Sequence, residues 1–452
     1  MSPSLFRPRR NAAGSACLGA AAAGFAAAFA AGCSDRLLNV TTPSRLTEST
    51  FLQAQNAPLI TRSAQADFEC ALGAYVVASG LGSGELTDAS QTASRWSYDR
   101  RDVLPGDALY ATGPCDAVGL GLGVYTPVST ARYTNDQALR ALDGWTDAEV
   151  AGRAALQLNA AVYAGFSYVL LAEGFCSGAV NGGAEVTTAT LLDSADARFT
   201  RALAVAAAVT GARRDSLRRD TLVFAAYAGR ARARIGRGNR AGAAEDAARV
   251  PLGFALTTTG DNNSERRTNR VFTQNNRDFA VTVAPAYRAL TVAGQADPRV
   301  RVTDANRNAA DGSNRVFTQT KYASLTSGIP IANGIEARLI LAEAQGAGQG
   351  VATLNALRAR AGVALPALTA AEAADFQGTV FEERRRELFL QGARWYDVRR
   401  GNLPLVPAPG VVYPAGGTQP KGGTYGDQRC WPLPDVERAA NPNARPSAGG
   451  NA

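Results

Sequence analysis

Small residues recur through this chain at helical spacing, in runs parted by short glycine turns, and that pattern constrains the fold more than any other feature. The clearest case is 225–250. An alanine-rich run ends at Gly236-Arg237-Gly238-Asn239 and is followed by AGAAEDAARV. Alanine has the strongest intrinsic helix preference, and a connection this short makes the two helices packed neighbours. Pro251 closes the second helix, because proline cannot continue one. The arrangement returns at 335–361 as IEARLILAEAQ, a GAGQG turn and VATLNALRARAG. Apolar residues three and four apart predict further helices over 51–78 with an interruption at Pro58, over 125–142, over 149–175 with a stop near Gly174, and over 193–208 and 221–235. With 46 % hydrophobic residues the chain can bury a large core.

The helix-turn-helix units resemble tetratricopeptide repeats, although no fixed period runs through the chain. The expected fold class is therefore mainly α: a tetratricopeptide-like scaffold with irregular, loop-rich insertions and a few short strands. One insertion, 80–123, is glycine-rich and polar and holds Trp96, Tyr98 and Tyr110. The other, 256–330, is rich in Asn, Thr, Arg and Gly and carries the hexapeptide NRVFTQ twice, at 269–274 and 314–319. Its Val, Phe and Thr suit strands, so the copies read either as neighbouring short strands or as a coincidence.

Residues 1–32 read as a signal peptide. Arg7, Arg9 and Arg10 precede an apolar, alanine-rich run from Ala16 to Phe29. Ala30-Ala31-Gly32-Cys33 resembles a bacterial lipobox, with alanine at the usual leucine position, so Cys33 is the expected lipidation site. The alternative is a plain secretory signal with an incidental cysteine. Two acyl chains on Cys33 would hold the protein to a membrane, with 33–45 as the lipid-anchored linker. Beyond the leader no run of about 18 consecutive apolar residues occurs to span a bilayer. The organisation that follows is an N-terminal helical part over 46–255 with its insertion at 80–123, an irregular insertion with short strands over 256–330, and a C-terminal helical part and tail over 331–452.

The chain has no histidine. That excludes Ser/His/Asp and Cys/His nucleophile systems and most catalytic zinc sites. Its net charge of +8 falls to +5 once Arg7, Arg9 and Arg10 leave with the leader. Only Lys321 and Lys421 are lysines, and the arginines are dispersed among acids rather than gathered on one face, so nucleic acid is not an expected partner. Export would leave Cys70, Cys115, Cys176 and Cys430 in an oxidising compartment. Three pairings are possible. Antiparallel packing of the helices beside Cys115 and Cys176 favours Cys115–Cys176 with Cys70–Cys430; buried free thiols are the alternative. No metal site is expected. Asp304, Asn306 and Asn308 echo a calcium loop, but Ala309 and Arg315 replace its glycine and final glutamate. GLGLG at 119–123 places its third glycine too early for a dinucleotide fingerprint, and no cofactor is expected.

The C-terminal quarter carries four motifs in order: EARLILAEA at 336–344, LNALRARAG at 354–362, FEERRRELFLQGARWYDVRRG at 381–401 and WPLPDVERAANPN at 431–443. With the segment CSDRLLNVTTPSRLTESTF at 33–51, they resemble the SusD/RagB family of nutrient-binding outer-membrane lipoproteins. The resemblance implies a non-catalytic protein, lipid-anchored and surface-exposed at the cell outer membrane. Such a protein captures glycans or other oligomeric nutrients and delivers them to a SusC-like TonB-dependent transporter. Two other readings stay open: an exported glycoside hydrolase, which needs two acids about 5–10 Å apart, and a repeat scaffold that binds only proteins.

The charged run 382–387 reads as helix-surface pairing, Glu382 with Arg386 and Glu383 with Arg386. Val380, Phe381, Leu388 and Phe389 then face the core, and Arg394, Trp395 and Asp397 pin the helix end. Ligand chemistry falls to SRWSYDRRD at 94–102. In an extended loop Trp96 and Tyr98 point the same way and offer faces to a sugar ring, with Arg95 and Asp99 for its hydroxyls; the alternative is a small core under the loop. The resemblance adds that ligand contacts in this family lie in variable loops.

Overall fold

The computed structural model describes residues 48–116, 122–210, 213–415 and 421–444. The leader, Cys33 and residues 34–47 lie outside these, as does most of GLGLG. The chain divides into two compact units, Met1–Gln53 and Ala54–Ala452. The described residues of the first form one helical turn, Glu48–Phe51.

The second unit is built on consecutive packed helices: α1 Ala57–Gly82, α2 Ala93–Arg100, α3 Ala108–Thr112, α4 Tyr125–Gly144, α5 Arg153–Gly174, α6 Thr188–Ala206, α7 Arg213–Gly236 and α8 Arg240–Ala248. Pro58 does not interrupt α1; it lies in the first turn, where its missing N–H costs nothing. By length and composition α5 is apolar enough to cross a membrane. Yet 83 % of its most apolar window is buried inside the protein, so it is the central core helix. Small residues set the spacing around it. The Phe199 ring of α6 lies between Gly165 of α5 and Gly229 of α7, and a Cβ at Gly165 would stand 2.6 Å from that ring. Gly165→Ala is expected to destabilise by ~1–3 kcal/mol through overpacking, read as a lower urea midpoint. An unchanged midpoint would mean that Phe199 relocates freely.

The C-terminal part repeats the theme. Helix α9, Gly334–Ala359, is broken at Gly346, whose φ of 68° lies in the left-handed region. This is where the GAGQG turn was expected. Both halves pack with α11, Phe376–Glu387, which follows the short α10, Ala370–Ala374. Leu339, Ala342, Leu354, Leu357, Phe376, Val380 and Leu388 form their core. The last helices are α12, Arg394–Arg400, and α13, Asp435–Ala440.

The strands form two-stranded antiparallel pairs, among them β4, Ala255–Thr257, with β10, Pro330–Asn333, and β6, Thr291–Val292, with β7, Gln295–Ala296. β1, Leu86–Asp88, pairs with β5, Val281–Val283. The hairpin of β2, Ser177–Ala179, and β3, Glu185–Thr187, follows α5. β8, Val302–Asn308, pairs with β9, Arg315–Gln319. The hexapeptide copies are not neighbouring strands. The first is a helical turn, Arg270–Phe272, because the Asn269 side chain caps it by accepting the Phe272 N–H at 3.0 Å. The second is β9, because Asp311 holds the Asn314 N–H at 2.9 Å in the turn before the strand. The copies nevertheless meet: Asn275, just past the first, accepts the Gln319 N–H at 2.8 Å.

The favoured disulfide pairing is corrected. The bridges are Cys70–Cys115 and Cys176–Cys430. Cys115 lies against α1 beside Ala74, and its carbonyl accepts from Arg270. Cys176 is met by the C-terminal tail, which runs beside the end of α5: Cys176 N–H donates to Trp431 O at 2.8 Å, and Trp431 N–H to Gly174 O at 2.9 Å.

The charged run on α11 departs in part from expectation. Val380, Phe381, Leu388 and Phe389 are buried, as are Trp395 and Asp397, and Glu382 pairs with Arg386 at 2.7 Å. Glu383, however, is no surface residue paired with Arg386. It is 1 % exposed and bound by Arg299 at 2.6 Å and Arg358 at 2.8 Å, because the insertion folds over this face of the helix.

Candidate ligand-binding faces

The segment 94–102 is not an extended loop but helix α2 and its left-handed cap at Arg101. Residues two apart on a helix point to different sides, so Trp96 and Tyr98 separate. Tyr98 is buried, stands 5.9 Å from the Trp431 ring and donates its hydroxyl to Leu122 O at 2.6 Å. Arg95 and Asp99 are buried too. Their common partner is Asp88 at the end of β1, which ion-pairs with Arg95 at 3.1 Å and donates its N–H to Asp99 at 2.7 Å. Three of the four expected ligand residues are thus committed to the interior.

Trp96 alone reaches the surface, half-buried. Its Nε1 donates to Ser90 O at 3.1 Å, and the Ser90 hydroxyl donates in turn to Asp88 at 2.8 Å. Lys421 stands 5.6 Å from the indole centroid and ion-pairs with Asp311 at 3.2 Å. The buried charges therefore form a fixed base under one presented indole. Burial, with a smaller contribution from the charge of Asp88, pushes the Asp99 carboxyl up from 3.8 to about 8. The folded chain then holds a proton that the unfolded chain has lost between about pH 4 and pH 8, so stability falls as pH rises through that window. Asp99→Asn is expected to flatten the fall in melting temperature from pH 5 to pH 8. An unchanged slope would contradict the assignment.

A second face escaped sequence reasoning. A hollow of about 660 Å³ lies between α4, the β2–β3 turn and α13. Tyr133 of α4 is 42 % exposed there, with the guanidinium carbons of Arg132 and Arg140 at 5.8 and 5.9 Å from its ring centroid. Arg132 donates to Asn181 at 2.6 Å, and Asn181 sits at φ 54° in the β2–β3 turn. Asn441 and Asn443 donate to Gly183 O and Gly182 O at 2.7 and 2.8 Å, so the tail motif 431–443 locks that turn in place. Glu437 completes the wall. The available signal was the solvent stripe Thr126, Thr130, Tyr133, Gln137 and Arg140, at three- and four-residue spacing on a helix read only for its apolar face.

The scaffold is thus that of a helical-repeat protein that presents Trp96 and Tyr133 from helices α2 and α4. Known structures share it. A SusD superfamily protein from Bacteroides vulgatus aligns with a TM-score of 0.61 at 14 % identity, covering 88 % of this chain and 99 % of the other. A SusD superfamily protein from Parabacteroides distasonis aligns at 0.60 and 12 % identity, covering 90 % and 100 %. A SusD-like carbohydrate-binding protein from Bacteroides fragilis aligns at 0.54 and 16 % identity, covering 88 % and 100 %. None of the curated proteins matches in sequence. Residues 335–443 match the model of the SusD family. The C-terminal segment is similar to the SusD family and the fold is SusD-like, which bears out the resemblance read from the four motifs.

Proposed function

We propose that this chain is a non-catalytic saccharide-binding lipoprotein of an outer-membrane uptake system. In this reading Cys33 carries the lipid, the helical scaffold stands at the cell surface, and bound glycan passes to a SusC-like TonB-dependent transporter. The observation that carries the reading is the coincidence of a segment similar to the SusD family, 335–443, with a SusD-like fold over nearly the whole chain. A similar fold in a protein described as carbohydrate-binding supports the ligand class. The domain organisation proposed is a leader at 1–32, a linker at 33–45, a helical scaffold interrupted at 80–123 and 256–330, and a C-terminal part from 331.

Trp96 is the proposed stacking residue, since an indole held from beneath offers a sugar ring an apolar face at little entropic cost. The hydrolase alternative is disfavoured at this face, because its acids, Asp88 and Asp99, are buried under the indole and closed to substrate. Affinity electrophoresis of the full-length protein through gels containing neutral polysaccharides tests the reading. Retardation by at least one polymer is expected, with Trp96→Ala weakening it by about tenfold, as for a lost aromatic contact of ~1.4 kcal/mol. Retention unchanged in Trp96→Ala would remove the assignment of that residue. Retardation by no polymer would remove the function.

A further inference from the structure

We propose that the Tyr133 hollow is a separate binding site for an anionic sugar residue, one bearing a carboxylate or sulfate. The inference rests on the saccharide-binding reading and adds to it both a place and a charge class.

The charge balance of the hollow is the first argument. Arg132 and Arg140 line it against a single acid, Glu437. Arg140 is exposed, and no carboxylate among the described residues pairs with it. Arg132 is 4 % exposed, donates to Asn181 and pairs with Asp136 at 3.8 Å, so Arg140 is the guanidinium open to a ligand. Guanidinium groups bind carboxylates and sulfates through paired, charge-assisted hydrogen bonds.

The second argument is shape. Tyr133 presents an exposed aromatic ring with a guanidinium group 5.8 Å and another 5.9 Å from its centroid, so an anionic substituent can reach an arginine while the ring carrying it lies against the tyrosine. Thr130 lines both this hollow and a smaller one of about 200 Å³ that continues along α4 past Thr126. That smaller hollow is lined by Asp67 and Asp116 as well as by Thr112 and Thr126, so the anionic group is assigned to the Tyr133 hollow and only a neutral neighbouring residue to the smaller one.

Titration calorimetry on the full-length protein in detergent tests this with tetragalacturonate, its methyl ester and a sulfated galactan tetrasaccharide. Saturable binding of tetragalacturonate, the sulfated sugar or both is expected, with the charged group named by whichever binds. The methyl ester should bind at least about tenfold more weakly than the free acid, as for one lost charge-assisted contact. Arg140→Gln and Tyr133→Ala should each weaken the anionic ligand by a similar factor, while Arg249→Gln, an exposed arginine elsewhere, leaves it unchanged. Equal binding of ester and acid, or an unaltered affinity in Arg140→Gln, would overturn the inference. So would retention of neutral polysaccharides with no heat from either anionic sugar, an outcome that leaves the saccharide-binding reading standing. Failure of every saccharide, neutral or anionic, would overturn both.

Discussion

Arg299→Met is expected to cost about 3–5 kcal/mol of stability, the usual consequence of removing one member of a buried charge network. Arg299 is 2 % exposed at its side chain and reaches Asp297 at 2.8 Å, Glu383 at 2.6 Å and Glu387 at 3.3 Å. Its removal leaves carboxylates in a site that solvates them poorly. The other cations cannot cover the loss. Arg358 is shared between Glu383 and Glu372, Arg360 is bound to Glu387 at 2.6 Å, and Arg386 is divided between Asp297 and Glu382. The network joins the 256–330 insertion to α9 and α11, so its failure should loosen the insertion first. Denaturant unfolding measures the loss, and proteolysis should cut within 285–300 earlier in the variant. The acid side fixes the sign with pH. The Asp297 carboxyl is held down at about 2, below its ordinary 3.8, by hydrogen bonds from Arg299 and Arg386 that outweigh the opposing effect of burial. Its stabilising contribution is present above about pH 4 and lost as pH falls toward 2. A variant that unfolds at the wild-type midpoint would show that the network only replaces solvation by water.

The second large effect belongs to Cys176–Cys430. The bridge closes a separation of 254 residues, and cross-links over loops of this length restrict the unfolded chain by roughly 5–6 kcal/mol. Replacing both cysteines by serine should lower stability by about 2–5 kcal/mol. The effect should exceed that of opening Cys70–Cys115, whose separation is 45 residues. The physical consequence is local as well. The bridge sits beside the Phe175–Trp431 contact, where Trp431 stacks on Trp395 at 5.7 Å and meets Tyr75 and Tyr98 edge-on. Losing it should expose this aromatic cluster, read as a red shift of tryptophan emission in mild denaturant. Equal losses for the two bridges would argue that native packing, not chain restriction, sets the cost.

Much of the scaffold was legible because periodicity and small-residue composition act locally. The α9 break at Gly346, Gly174 as the last residue of α5 and the closure of α8 before Pro251 needed no tertiary information. What the sequence hid depends on distant partners. Trp96 and Tyr98 read as a loop pair because charges crowd around them. Burial of Arg95 and Asp99 against Asp88 turned that stretch into an interior helix. Identical hexapeptides took helical and strand forms because Asn269 caps a turn while Asn314 is held by Asp311. Glu383 was indistinguishable from a surface acid until Arg299, 84 residues away, supplied its partner. The cysteine pairing failed for the same reason: the route of the tail past α5 is not written near either cysteine. Tyr133 was missed because a helix read for its buried stripe says nothing of what faces its exposed one.

The most direct test of the central claim is one incubation of the full-length protein with a pool of plant and bacterial oligosaccharides, with the bound fraction eluted and sized by mass spectrometry. The account predicts that at least one oligosaccharide is retained stoichiometrically and recovered at its original chain length. Recovery of shortened chains, or of none, would contradict it.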